Sequence, residues 1–359
     1  MPVLRLLPRR SNDVTYFTND AAHELDGLRD PGPGWWLRGS GDTRDPSDVA
    51  CVLVTSDRAA VMGYDLVIAA PRPISVLLAV DPEHARGVVD AHRASVRSTM
   101  EYLEERALVV RDRRGGLDRD QPATWERVVS FTHGLNRHGE PHLHDHVLVG
   151  ARPQDQRNVL DARALYAHAH AADALYRASL RHELSERTPW SAWRSFEGVE
   201  RVVGLDEGYR ALWAGHHRDR GEKLSWSREE TVSAWTRDQS RFEPLGVVPS
   251  PERRNVLDEH RFAGAFEGRY DVSRRHVVEA WANAASFGQD PKELTRSVDH
   301  LYPALGGRGG VYETTIPLRD ARMIPSVRML GPRPLEPNQL ERWRERSLDR
   351  ERSRESRSR

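Results

Sequence analysis

Cysteine is nearly missing from this chain, and so are lysine and long apolar runs. Cys51 is the only cysteine among 359 residues, so no disulfide can form within the chain, and a disulfide-stapled secreted scaffold is excluded. No apolar run approaches the roughly 18 residues that a membrane span requires. The opening MPVLRLLPRR is basic and apolar, yet too short for a secretion signal and without a small-residue cleavage site. A cytoplasmic protein is therefore expected. Lys223 and Lys292 are the only lysines among 54 basic residues. Arginine suits bidentate phosphate contacts and stacking on bases, although GC-rich coding produces the same bias and is its larger cause. The 54 acidic residues balance the 54 basic ones, so no global charge draws the chain to a polyanion, while a local basic cleft remains compatible. No G-x-x-x-x-G-K-[ST] phosphate loop occurs in the sequence.

What is there is a globular composition, 38% hydrophobic and 30% charged, at a length that suits one large domain or two medium ones. Its most informative stretch is 131–150, FTHGLNRHGEPHLHDHVLVG. From His142 to Val149 polar and apolar residues alternate with period two. In a strand this puts His142, His144 and His146 on one face, with Leu143, Asp145, Val147 and Val149 on the other. His133 closes a second strand-like run, 127–132, and a tight connection through Asn136, Arg137, Gly139 and Pro141 brings it alongside. Three or four imidazoles converge, and imidazole is the commonest metal ligand. Surface histidines of an Arg- and His-rich protein are the plainer alternative, but sustained alternation on an otherwise apolar strand favours a metal site.

The form F-x-H-x-x-x-R-x-x-x-P-x-L-H-x-H-x-x-V resembles the three-histidine motif of MobF-type (TrwC-like) conjugative relaxases, which are HUH endonucleases. The resemblance extends to Gly63–Leu77, similar to the family's G-x-D-L-x-x-x-A-P-K-S-V-S segment, and to 160–184, LDARALYAHAHAADALYRASLRHEL. It implies His133, His144 and His146 as metal ligands, with a divalent ion (Mg or Mn, with Zn compatible) as cofactor. His142 stands where the family usually has another residue. Tyr16, in or near the first turn of a helix expected after the cap signal Ser11-Asn12-Asp13, matches the family's nucleophile, and Asp65 its site carboxylate. Arg72 and Pro73 replace the customary Lys and Ser. Arg72, Arg137, His142, Trp35 and Trp36 are the candidate DNA contacts; for the tryptophans, capping the core and stacking on an unpaired base weigh evenly.

The resemblance implies an α+β two-layer fold, a central antiparallel sheet with packed helices followed by a helical region. The expected organisation is a relaxase domain at 1–245, a small helical region at 246–305 and a Gly/Pro-punctuated tail at 306–359, whose Arg/Glu/Ser-rich end cannot bury apolar surface. Between these landmarks the sequence predicts a strand at 51–54. It also predicts a long amphipathic helix opened by Asp81-Pro82-Glu83 and running to Ala107, with His92 as a satisfied core histidine. The charged 111–121 segment reads as a hairpin or loop, and 188–203 as a closing strand pair. His168 and His170, two apart on a helix, point in different directions and are no metal pair.

The activity implied is site-specific nicking and transfer of single-stranded DNA at a plasmid or mobile-element origin of transfer. Tyr16 would attack the phosphodiester and form a 5′-phosphotyrosine. Expected partners are that DNA, a separate helicase and a coupling protein. Two alternatives remain: a degenerate relaxase that binds DNA without cutting it, and a His-metal enzyme acting on a small molecule.

Overall fold

In a computed structural model of the chain, the structure describes residues 4–11, 14, 17, 35–38, 52–53, 61–114, 117–136, 138–152, 159–195, 197–205, 208–209, 213, 228–239, 257–267, 269, 271–304 and 316–317. Five strands make the central sheet: β1 (Leu4–Arg9), β2 (Trp35–Arg38), β3 (Gly63–Ala69), β6 (Val128–Leu135) and β7 (Pro141–Gly150), in the order β1-β3-β7-β6-β2 and antiparallel throughout. β7 lies at the centre because it can be buried on both sides. Leu143, Val147 and Val149 fill one face, Leu148 the other, and each is at most 1% exposed.

Two helices cover one face of this sheet, α2 (Ala85–Ala107) and α3 (Ala162–Arg187), and they pack along each other. Their apolar residues recur at helical spacing, among them Val88, Ala91, Val96, Met100 and Leu103 on α2 and Leu165, Ala172, Leu175 and Leu180 on α3. They meet Leu66, Ile68, Val147 and Val149 of the sheet in one core cluster, each Val, Leu, Ile or Met side chain in it contributing roughly 1.5–3 kcal/mol by leaving water. The opposite face carries a smaller cluster of Val14, Phe17, Val52, Leu53, Val129, Phe131 and Leu148. The expected α+β arrangement is what the chain forms.

The short helix α1 (Arg72–Val80) follows β3 directly, with Pro71 at its N-cap and Pro73 in its first turn, where a missing N–H costs nothing. Ser75 accepts the Leu143 amide at 3.1 Å, and the Ala70 amide bonds the Leu143 carbonyl at 2.8 Å, which pins the start of β7. The charged 111–121 segment forms the hairpin of β4 (Val109–Arg114) and β5 (Leu117–Pro122), with β8 (Val159–Leu160) added beside β4. Its register pairs Arg111 with Asp120, Asp112 with Arg119 and Arg113 with Asp118. The expected closing strand pair is β9 (Ala192–Arg194) with β10 (Glu200–Val202).

Beyond α4 (Arg228–Gln239), the region expected to be a separate helical part shares the main core. It comprises α5 (Glu259–Gly264), β11 (Asp271–Val272), α6 (Arg274–Ala284) and α7 (Pro291–Ala304). Phe262, Val277, Trp281, Leu294 and Leu301 join the cluster of α2 and α3. Arg181 of α3, 1% exposed, pairs with Glu200 at 2.9 Å and donates to the carbonyls of Ala282 and Ala285. Gly288 (φ +86°) passes so close to α3 that a methyl group there would run into the Ala178 carbonyl and the His182 amide nitrogen. In the expected tail, Ile316–Pro317 (β12) pairs with β11. The expected 51–54 strand is described only at Val52 and Leu53, which lie in a turn and a bend.

Candidate metal centre

Alternation along β7 has the predicted consequence. His144 and His146 point to the face opposite Asp145, and antiparallel pairing sets His133 of β6 directly across from His144. The ring centroids form a nearly equilateral triangle: His133–His144 5.1 Å, His133–His146 5.2 Å and His144–His146 5.3 Å. One ligand nitrogen from each lies within 4.8 Å of the other two. Bonds of ~2.1 Å to one ion bring ligand nitrogens to about 3–3.5 Å of each other, so modest ring rotations would close the set. The residues present fit a divalent ion.

The outer groups select the nitrogen that each imidazole offers. His146 Nδ1 donates to both oxygens of Asp65, at 2.9 and 3.0 Å, so Nε2 is the nitrogen it offers a metal. Asp65 reaches it from β3, where Asp65 pairs with Leu148 and Val67 with His146, a diagonal cross-strand relation. His144 Nδ1 donates to the backbone carbonyl of His142 at 2.8 Å. These bonds fix tautomer and ring direction, as outer-shell partners of metal-bound histidines do. Burial, then the neighbouring His142, His133 and His146, hold the His144 pKa well below its ordinary value. The imidazole stays neutral, the form that binds metal.

His142 stands apart from the triad. It is half-buried, its ring 4.7 Å from that of His144 and inclined by 34°, and its carbonyl orients His144. Arg72 donates to the Pro141 carbonyl at 3.0 Å and pairs with Glu140 at 3.3 Å. Its guanidinium therefore braces the β6–β7 turn, where Asn136 Oδ1 accepts the His138 and Glu140 amides and Gly139 takes a positive φ of 73°. Trp235 of α4 closes the turn from outside, its indole N–H on the Gly139 carbonyl at 2.8 Å. Trp35 and Trp36 lie on β2 in register with Ser130 and Val129. Tyr16 and Arg137 lie outside the described residues. Phe17, next in sequence after Tyr16, is buried, with its ring centroid 5.3 Å from His146 and 5.5 Å from Phe131, and Arg9 over it at 5.4 Å.

Behind the triad lies a second polar set that sequence reasoning divided between a core histidine and a strand's far face. His92 of α2 bonds Asp145 Oδ1 through Nε2 at 2.9 Å and the Tyr176 hydroxyl through Nδ1 at 2.6 Å, while Ser130 donates to Asp145 Oδ2 at 2.5 Å. All four residues are 0% exposed. Burial pushes the Asp145 carboxyl up, but His92, Ser130 and the Arg93 charge outweigh it and bring its pKa down to about 2. The signal for this set was a carboxylate in the middle of an otherwise apolar strand face.

The site is thus a cluster of three histidines on an antiparallel sheet, one of them held by a carboxylate from the neighbouring strand. The TrwC relaxase family model matches residues 17–219, more than half of the chain, and the chain belongs to that family. Two solved structures of conjugative relaxase TrwC with OriT DNA resemble it. One is metal-bound (TM-score 0.53, 19% identity, 66% of this chain and 98% of that one), and one is copper-bound (TM-score 0.54, 18% identity, 66% and 97%). A third holds a 27-mer DNA comprising the recognition hairpin and the cleavage site (TM-score 0.51, 19% identity, 66% and 98%). No curated protein matches. Among the described residues no helix is long and apolar enough to cross a membrane.

Proposed function

We propose that this protein nicks one DNA strand at a specific site, an origin of transfer on a plasmid or mobile element, and can rejoin it by transfer. The observation that carries the reading is the triad of His133, His144 and His146 with Asp65 on His146 Nδ1, in a chain of the TrwC relaxase family. A divalent ion (Mg or Mn, with Zn compatible) held by the three imidazoles would polarise a non-bridging phosphate oxygen and offset charge gathering on phosphorus.

Tyr16 is the proposed nucleophile. Its phenolic oxygen bonds to phosphorus, the P–O3′ bond breaks, and the products are a 5′-phosphotyrosine and a strand ending in a 3′-OH. Attack of a 3′-OH reverses the step and requires no nucleotide hydrolysis. The packing of Phe17 against His146 supports Tyr16, because consecutive Cα atoms are only about 3.8 Å apart. For Asp65 the geometry favours orienting His146 over accepting the phenol proton, since both its oxygens are within hydrogen-bond reach of the same N–H. Trp35 and Trp36 are proposed to stack on unpaired bases, and His142 and Arg137 to contact DNA near the cut. Arg72 acts there by holding the hairpin turn. A helicase and a coupling protein are the further partners proposed.

The small-molecule alternative accounts for the histidines but not for the family match over residues 17–219. The experiment is covalent adduct formation on single-stranded oligonucleotides from candidate transfer origins, with Mg or Mn present. Wild type should yield a protein–DNA band stable to denaturation, and Tyr16→Phe none. A band of equal strength from Tyr16→Phe would remove Tyr16 as nucleophile. A wild type that binds the oligonucleotides but never forms the band would leave the DNA-binding, non-cutting reading instead.

A further inference from the structure

Asp145 stands between two of the three candidate ligands on β7, and its side chain points the other way. There it is 0% exposed and meets His92 and Ser130 at 2.9 and 2.5 Å, with Tyr176 behind His92 at 2.6 Å. The set ties together four elements: β6 through Ser130, β7 through Asp145, α2 through His92 and α3 through Tyr176. The roles are mutually consistent. Tyr176 O–H donates to His92 Nδ1, His92 Nε2–H donates to one carboxylate oxygen, and Ser130 O–H donates to the other.

The apolar neighbours of Asp145 specify the register of β7 only coarsely, through which face is buried. A twist of β7 exchanges one branched side chain for another at little cost, whereas a displaced Asp145 leaves a buried carboxylate and a buried imidazole without partners. Residues 144 and 146 are one step either side, so any rotation or slip that swings their rings away also carries Asp145 out of its bonds. Building on the metal-centre reading, we infer that Asp145, with His92, Tyr176 and Ser130, is a positioning device: it locks the rotation and register of β7 so that His144 and His146 present their nitrogens to one ion.

Titration with cobalt(II) alone tests this, since it needs no knowledge of the DNA site and reads both affinity and ligand geometry through the visible spectrum. Thermal unfolding of the metal-free protein is measured beside it. Asp145→Asn keeps shape and removes the charge; it should weaken cobalt binding about tenfold and change the spectrum. Tyr176→Phe removes one hydroxyl and should weaken binding about threefold. Leu184→Ala, in the same buried layer on the far half of α3, should lower thermal stability but leave affinity and spectrum as in wild type. The inference falls if Asp145→Asn loses stability yet binds cobalt with wild-type affinity and spectrum, or if Leu184→Ala weakens binding as much. Should Asp145→Asn not fold, Tyr176→Phe decides alone: weaker binding supports the device and unchanged binding overturns it. A wild type that binds no cobalt overturns the metal-centre reading and this inference with it.

Discussion

The two faces of the central sheet use histidine in opposite ways. On the helix-covered face His92 spends both ring nitrogens on protein partners, Tyr176 and Asp145. His168, in the same layer, bonds the Tyr102 hydroxyl at 2.9 Å. On the other face His144 and His146 each direct Nδ1 into a carbonyl or a carboxylate, and the nitrogens they offer converge with one from His133. Burial does not separate the two kinds, because His144 at 8% and His168 at 6% exposed are equally enclosed. What separates them is convergence: the nitrogens left over on the triad lie within 4.8 Å of one another, whereas His92 spends both of its own on protein partners and His168 ties Nδ1 to Tyr102 inside the helix layer.

The largest effect should come from removing a ligand on the second face and a core side chain on the first. His144→Ala or His146→Ala should weaken cobalt(II) or zinc binding at least a hundredfold, with about 1 kcal/mol of metal-free stability lost. Leu66→Ala, at a fully buried sheet position on the helix side, should do the reverse: about 2–5 kcal/mol of stability lost and metal affinity within a few-fold of wild type. Denaturant unfolding and metal titration on the same preparations check both. If His144→Ala proves as destabilising as Leu66→Ala, the second face is structural and the contrast fails. Next in size is Asp65→Asn, which keeps an acceptor for His146 Nδ1–H but loses the charge. Metal affinity should drop about tenfold, and an unchanged affinity would reduce Asp65 to a packing residue.

Much of the metal face could be read in the sequence because a strand's two-residue period places His142, His144 and His146 together whatever surrounds them. The family resemblance already left His142 out of the ligand set, and only tertiary geometry shows its carbonyl as an orienting group. Periodicity also had no access to the Asp65–His146 bond, which spans 81 positions and depends on the β3–β7 register. The link from His92 to Asp145 likewise needs helix α2 laid across the sheet. Arg72 shows the same blindness from the other side. As a sequence feature it suggested a phosphate contact, but a guanidinium binds what comes near, and here the hairpin turn brings Glu140. Equally out of reach of the sequence were the bonds from Arg181 to the carbonyls of Ala282 and Ala285, which tie the 246–305 region to α3.

The smallest effect is the pH dependence of the structural histidines. His168 has its pKa lowered to about 4, first by burial and then by Arg275, Arg274, Arg106 and His276, against about 6.5 in an unfolded chain. Above pH 6.5 neither state holds the proton, so full stability is present. Between 6.5 and 4 the unfolded chain binds it and the folded chain does not, so stability falls as pH is lowered through this window. From pH 7 to pH 5 the loss from this residue should be on the order of 1–2 kcal/mol. Urea unfolding at the two pH values, for wild type and His168→Asn, isolates it: the variant should show a shallower loss across the window. The same acidification should weaken metal binding in both proteins alike, because protons compete for the imidazoles of the other face. A His168→Asn protein that lost stability as steeply as wild type would show that the acid sensitivity of the fold resides elsewhere, and a metal affinity that changed with His168 would break the division between the two faces.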